Sequence, residues 1–264
     1  MSVHEKMTAI AGNIRKYGGA PQGTLLNLDQ MAQGVTNVHD AGYAVGIAQG
    51  KQEQYDLFWD AFQQNGTRTD YLRAFTGYNF TINSFYPKYD INLTGYCTHA
   101  FYGWGAKSGG HLDLKSRLEE CGVKLDTSKA TDLTQMFMYC SNITQIPTID
   151  CTGLTNASNH MFSYTYGGLK KIEKVITKES VTYNYWFADT YLEEITFEGV
   201  IGQNIDFSTC PLTKASIENI IEHLSTTSSG KTLTLKQTAV NAAFTTAEFE
   251  ALKATRTNWT FSLV

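Results

Sequence analysis

Nowhere in the 264 residues does an apolar run reach the length of about 18 that a membrane-spanning helix needs, so membrane insertion is not expected. The opening residues Met1-Ser2-Val3-His4-Glu5-Lys6-Met7 hold no apolar stretch of signal-peptide length. The expectation is a soluble chain that is not exported through a cleaved signal. Proline is scarce, at four residues, which disfavours a disordered linker. Cysteine is present in an odd number, five, with no C-x-x-C pair among Cys97, Cys121, Cys140, Cys151 and Cys210. A reduced, buried role is expected for them, and neither a disulfide framework nor a metal site. Net positive charge is missing as well: a balance of −4 and a pI near 5.9 provide no general attraction to nucleic acid or anionic membrane.

Catalytic signatures are also absent. The nearest approach to a phosphate-binding loop, Gly105-Ala106-Lys107-Ser108, has alanine where glycine should precede the lysine. The six histidines show no H-E-x-x-H or comparable metal spacing, and no G-x-S-x-G elbow occurs. Glu119-Glu120 and Glu193-Glu194 are adjacent carboxylates, and adjacent residues on a strand point to opposite faces, so they read as solvated charge. No catalytic residue, cofactor or metal is expected.

What the chain does contain is a repeat. Met136-Phe137, Met161-Phe162 and Trp186-Phe187 follow one another at intervals of 25 residues, and Ala74-Phe75 and Ala100-Phe101 occupy the same position in two less regular copies. Each regular copy continues with a second apolar pair three residues apart: Ile143 with Ile146, Leu169 with Ile172, Leu192 with Ile195. Periods of about 20 to 50 residues mark units that stack because none can bury its apolar face alone. Phe75, Phe101, Phe137, Phe162 and Phe187 are accordingly the expected repeat core. Trp104 to Gly110 reads as a loop and Leu112 to Cys121 as a helix inserted between copies.

The flanks differ in character. Val3, Met7, Ile10 and Ile14 share one helical face, and a longer helical pattern follows Asp40 to about Gln64. It carries Gly42, Gly46 and Gly50 at steps of four. Glycine inside a helix costs about 1 kcal/mol, so the stripe asks for a close helix contact. That contact is either self-association into a homo-oligomer or packing against the first helix; a nonhelical glycine turn is the remaining reading. At the other end, Ile217, Ile220, Ile221 and Leu224 predict a helix with Thr213 as N-cap, Lys231 to Leu235 a strand, Thr245-x-x-Glu248 a capping box, and Trp259 to Leu263 a last strand.

Tyrosines crowd the repeats. Tyr164, Tyr166, Tyr183, Tyr185 and Tyr191, with Trp104, form the candidate recognition surface, since tyrosine offers apolar area with a hydrogen-bonding tip. A partly buried aromatic ladder is the alternative.

The units Leu133-Thr-Gln-Met136-Phe137-Met-Tyr-Cys140-Ser-Asn142-Ile143-Thr-Gln-Ile146 and Met161-Phe162 to Leu169-Lys-Lys-Ile172 resemble BspA-like leucine-rich repeats. The segment Glu5-Lys6-Met7-Thr8-Ala9-Ile10-Ala11-Gly12-Asn13-Ile14-Arg15, followed by Leu28-Asp29-Gln30-Met31, is similar to an N-terminal module of phage and prophage tail-associated structural proteins. Lys231-Thr-Leu-Thr-Leu to Asn258-Trp259-Thr260 looks like the C-terminus of the same proteins. The expected organisation is an α+β chain with a helical module over 1–66, a short β-solenoid over 67–208 and a helix-strand-helix-strand α/β cap over 209–264; the resemblance implies that the solenoid is leucine-rich-repeat-like and that the helical module is the attachment and oligomerisation end. It implies a virion protein made in the host cytoplasm, of tail-fibre, baseplate or adhesin type. The expected partners are other tail proteins and a host surface protein or polysaccharide. A bacterial interaction or adhesion module is the alternative, and a cell-wall-modifying enzyme a more distant one.

Overall fold

Short apolar alternations become strands. In Ile143-Thr-Gln-Ile146 the two isoleucines are buried and the polar pair between them is half-exposed. The computed structural model describes residues 73–76, 85–104 and 110–264. The chain divides into two compact units, Met1–Asn65 and Gly66–Val264, and the described residues all belong to the second. The expected N-terminal helices, the Gly42, Gly46 and Gly50 stripe, and most of the loop after Trp104 lie outside the described residues.

In chain order the elements are β1 (Ile91–Tyr96), β2 (Leu112–Asp113), α1 (Leu114–Glu120), β3 (Leu125–Asp132), β4 (Ile143–Ile146), β5 (Ile149–Asp150), β6 (Lys171–Thr177), β7 (Glu194–Gly199) and β8 (Ile205–Phe207). They continue as α2 (Lys214–His223), β9 (Lys231–Leu235), α3 (Gln237–Ala243), α4 (Thr246–Lys253), a 3-10 turn (Ala254–Arg256) and β10 (Trp259–Leu263). Thr213 caps α2 by accepting the Ser216 N–H, and Thr245 and Glu248 form the capping box of α4. There the Thr245 N–H holds the Glu248 carboxyl down to about 2. Helix α3 was not expected from the sequence.

The α+β chain with a β-solenoid, expected from the repeat period and the resemblance, is corrected by the strand pairing. The strands fall into three sheets, of two (β1, β3), five (β2, β4, β6, β5 and β7) and three (β8, β9, β10) strands. Every strand pairing among the described residues is parallel. The fold is mixed α/β with parallel-strand sheets. Parallel neighbours need a crossover of a dozen or more residues, commonly helical, and the chain supplies two in succession, β8–α2–β9 and β9–α3–α4–β10. A sequence period reports which segments lie side by side. It does not report whether neighbouring segments share one continuous sheet.

The repeat itself is visible as stacked turns. Six phenylalanine rings lie in a spine through the interior: Phe75 to Phe101 at 5.1 Å, Phe101 to Phe137 at 5.1 Å, Phe137 to Phe162 at 5.9 Å, Phe162 to Phe187 at 5.7 Å and Phe187 to Phe207 at 4.4 Å, all near-parallel. All six are buried. Phe207, from β8, is the member that the dipeptide pattern did not reveal.

A second device recurs three residues after Phe101, Phe137, Phe187 and Phe207, where a side chain donates to a backbone carbonyl of a neighbouring copy. The Trp104 indole N–H donates to the Phe75 carbonyl, Cys140 Sγ to the Phe101 carbonyl at 3.0 Å, Thr190 Oγ1 to the Phe162 carbonyl at 2.7 Å and Cys210 Sγ to the Thr190 carbonyl at 3.0 Å. These cysteines are free thiols, and burial pushes Cys140 and Cys210 up to about 12, so they stay protonated donors. At Thr165 the device fails: its hydroxyl is buried without a partner, at the widest step of the spine. Thr190→Val is therefore expected to lower stability by about 1–3 kcal/mol, because a buried carbonyl loses its donor. Thr165→Val is expected to be neutral or stabilising. Denaturant unfolding of the two variants side by side checks both, and equal losses would refute the pairing.

The edge of the five-stranded sheet is closed by side chains of α2. Ser216 Oγ accepts the Ile195 N–H at 3.0 Å, and Asn219 accepts the Phe197 N–H at 2.6 Å while its amide donates to the Phe197 carbonyl. An edge strand left open is a template for unwanted pairing, and α2 removes that hazard at β7.

Candidate functional site

Each stacked turn places two residues, four apart, in the left-handed backbone region. The pairs are His99 and Gly103, Gln135 and Tyr139, His160 and Tyr164, and Tyr185 and Asp189, with Arg73 heading the first series. The residues just after the first of each pair, Ala100, Met136, Met161 and Trp186, are buried, and so is the phenylalanine that follows. The left-handed residues themselves are half-buried or exposed. The turn geometry is thus forced by the core: two reversals of backbone hand turn the dipeptide inward and leave its flanking side chains on the rim.

Alternate N–H groups then point along the stack. Gln135, Phe137 and Tyr139 donate to the carbonyls of Asn159, Met161 and Ser163, and His160, Phe162 and Tyr164 donate to those of Asn184, Trp186 and Ala188. Successive copies repeat this register, so the rim side chains form two rows. The first runs Arg73, His99, Gln135, His160, Tyr185, and the second Gly103, Tyr139, Tyr164, Asp189.

The rings in these rows touch. Tyr139 and Tyr164 stack at 5.3 Å, His160 and Tyr185 at 4.9 Å, and His160 and Tyr164 at 6.1 Å across the rows. Tyr102 meets Tyr139 edge-on at 5.6 Å and His99 at 5.1 Å, and Tyr166, itself left-handed, leans on Tyr164 at 6.0 Å. Burial lowers the pKa of His99, with the Arg73 charge acting in the same sense, so the neutral imidazole is favoured there. Tyr185 is 67% exposed and Tyr166 60%. A non-glycine residue in the left-handed region costs about 1–2 kcal/mol, and bulky residues are uncommon there. Glycine, as at Gly103, would serve the backbone without that cost, which makes the tyrosine and histidine side chains here candidates for a functional surface.

The expected recognition residues therefore separate. Tyr164, Tyr166 and Tyr185 belong to one continuous rim surface. Tyr191 is exposed, beside Gly167 and under the Lys236 ammonium at 5.8 Å. Tyr183 and Trp104 are corrected to core residues. Tyr183 is buried against Trp186 and Phe197, with its hydroxyl bonded to Thr177 Oγ1 at 2.7 Å. Trp104 is buried because it fills the donor position three residues after Phe101, packed edge-on against Phe85 at 5.1 Å. Spacing alone did not separate a tyrosine on the rim from one two positions inward. His99 and His160, which the sequence places at the core edge just before the dipeptide, stand on the rim, and so do Tyr102 and Tyr139, which the sequence did not single out; Tyr102 directly follows its phenylalanine and Tyr139 lies two residues after its own.

An open groove of about 660 Å³ lies over β6 and β7 and between α1 and α2, lined by Lys115, Gln145, Lys171, Glu173, Glu194 and Ser216 among others. Its charges are satisfied within the protein: Lys171 pairs with Glu194 at 2.6 Å and Lys115 with Glu119 at 2.5 Å. Glu193 pairs with Lys170 at 2.7 Å, so the Glu193-Glu194 pair ties β7 and its lead-in to the β6 side of the sheet. Such half-exposed pairs contribute little to stability and make no acid–base dyad. Among the described residues no group of three or more His, Cys, Asp or Glu is placed to hold a metal ion. No helix among them is long and apolar enough to cross a membrane.

Comparison with known protein families, curated proteins and solved structures finds no match for this chain. The functional reading therefore rests on the rim surface and on the sequence motifs.

Proposed function

We infer that the protein is a noncatalytic structural component of a phage or prophage particle, of tail-fibre, baseplate or adhesin type, that presents its aromatic rim for recognition. The observation that carries the recognition role is the double row of left-handed tyrosines and histidines on stacked turns, open to solvent at Tyr185 and flanked by the exposed Tyr166. Rigid aromatic side chains lose little entropy on binding, which suits them to recognition. The particle assignment is supported by the similarity of residues 5–15 and 28–31 to the N-terminal module of tail-associated proteins, with the first unit as the attachment end. Its partners there are other tail proteins and copies of itself. Mass spectrometry of particles purified from the producing strain is expected to recover peptides of this chain in proportion to tail components. Their absence from purified particles overturns the assignment.

A further inference from the structure

We propose that the outer edge of β10 is a contact between two copies of this chain, which pair antiparallel about a two-fold axis at Phe261 and join their three-stranded sheets into one continuous sheet. The residues of this edge are neither those of the rim nor those of the Gly42, Gly46 and Gly50 stripe, so the inference stands whatever the rim recognises.

The edge is open. Strand β10 stands at the end of the order β10-β9-β8. The Val264 N–H donates to the Leu235 carbonyl and the Val264 carbonyl accepts the Gln237 N–H, so by strand alternation Val264, Ser262 and Thr260 turn their backbone groups to β9. The N–H and C=O groups of Trp259, Phe261 and Leu263 consequently face outward, and among the described residues none of them is hydrogen-bonded. Exposed edges are ordinarily blunted by lysine, proline or a bulge. Here the register with β9 is unbroken, and Asn258 to Val264 holds no proline, glycine or charged residue. The β7 edge, by contrast, is closed by Ser216 and Asn219 of α2.

The side chains of the strand select the occupant. A two-fold axis sets charges of one sign against each other, so an edge that pairs with itself must carry none, and this one carries none. Centred on Phe261, the pairing also puts like chemistry opposite like: Trp259 of one copy faces Leu263 of the other, Thr260 faces Ser262, and the two Phe261 rings face each other. The apolar pairs lie on the side of the sheet where Phe261 packs edge-on against Phe249 of α4 at 6.2 Å. Leu263 is 37% exposed there, and Trp259 of the second copy would cover it. Thr260, exposed, and Ser262, half-exposed, lie on the other face, where facing hydroxyls hydrogen-bond. In this register the outward groups of Trp259, Phe261 and Leu263 fall opposite one another as hydrogen-bonded pairs, as an antiparallel ladder requires. An unrelated extended segment would meet the backbone edge but not this side-chain symmetry.

Sedimentation velocity of the full chain is expected to show a monomer–dimer equilibrium that shifts to dimer with concentration. Leu263→Pro removes an outward N–H and no bond to β9, and is expected to raise the dimer dissociation constant about tenfold or more with little change in Tm. The register is tested by mixing two single variants, Thr260→Cys and Ser262→Cys, under mild air oxidation. These positions oppose each other as a non-hydrogen-bonded pair at about 4.5 Å between Cα atoms, within disulfide reach, whereas each lies about 7–8 Å from its own counterpart. A disulfide-linked dimer is expected from the mixture and little from either variant alone, with the unsubstituted chain as the control for its five native cysteines. If Leu263→Pro folds poorly, the cysteine mixture decides. A monomer at every concentration, no cross-link in the mixture, or cross-linking as strong within each single variant as in the mixture would overturn the pairing. So would self-association unchanged by folded Leu263→Pro, which would move the contact to another surface such as the glycine stripe.

Discussion

Phe162→Ala is expected to lower the free energy of unfolding by about 3–5 kcal/mol, the range for truncating a fully buried aromatic ring. Phe162 is 0% exposed and lies near the middle of the spine, between Phe137 at 5.9 Å and Phe187 at 5.7 Å, with Trp186 edge-on at 5.8 Å. The substitution leaves the backbone bonds of the turn in place, because the Phe162 N–H still reaches the Trp186 carbonyl and Thr190 Oγ1 still donates to the Phe162 carbonyl. What is lost is apolar burial, plus a cavity that stacked neighbours on both sides cannot close without sliding whole copies. Urea unfolding measures the change, and Tyr166→Ala on the rim gives the contrast, since an exposed ring leaves no cavity. A loss under about 1 kcal/mol at Phe162 would show that the ring is not part of a packed core.

Gly168→Ala is expected to be as damaging, for a different reason. A Cβ at Gly168 would stand 1.7 Å from the Ser141 carbonyl oxygen, a backbone atom of the preceding copy. No rotamer change relieves that overlap, so two copies must move apart, breaking the Lys170 N–H to Thr144 carbonyl bond and its neighbours. Overpacking ordinarily costs 1–3 kcal/mol and more where backbone must shift, so a loss of about 3 kcal/mol or more is expected. Gly167 separates proximity from conformation. Its φ is +84° and a Cβ there would meet nothing closer than Tyr191 at 4.0 Å, so Gly167→Ala should cost about 1–2 kcal/mol of backbone strain. Similar midpoints for the two variants in chemical denaturation would mean that the copies are not in contact at Gly168.

Both expectations show where the sequence was informative. The dipeptide period identified five of the six spine phenylalanines, since a large apolar residue recurring at a fixed interval has few places to go except a shared interior. It missed Phe207, which arrives on a strand with no dipeptide. Capping was also legible: Thr213 and the Thr245–Glu248 box act within four residues, so their chemistry is written locally. Helix α3 was missed because Gln237 to Ala243 has a short apolar face and no side-chain cap at Lys236.

The rim was legible only in outline. Tyrosine richness pointed to Tyr164, Tyr166 and Tyr185, yet Tyr183 and Trp104 carry the same composition signal and are buried. The difference lies in backbone hand at the turns, which single residue types do not announce when tyrosine, glutamine and histidine stand where glycine would be expected. The rim depends on the same feature, because it is the left-handed positions that bring side chains from successive copies into two lines.

The sequence alone determined that segments about 25 residues apart lie side by side and share an apolar interior, because only stacking lets such short units bury their hydrophobic faces. Tertiary structure decided the rest: that the strands join three parallel sheets of an α/β fold and not a continuous solenoid, and which aromatics face outward. Sheet continuity and side-chain facing are set by hydrogen bonds and turn geometry between residues distant in the chain, and a periodic pattern constrains spacing without constraining either.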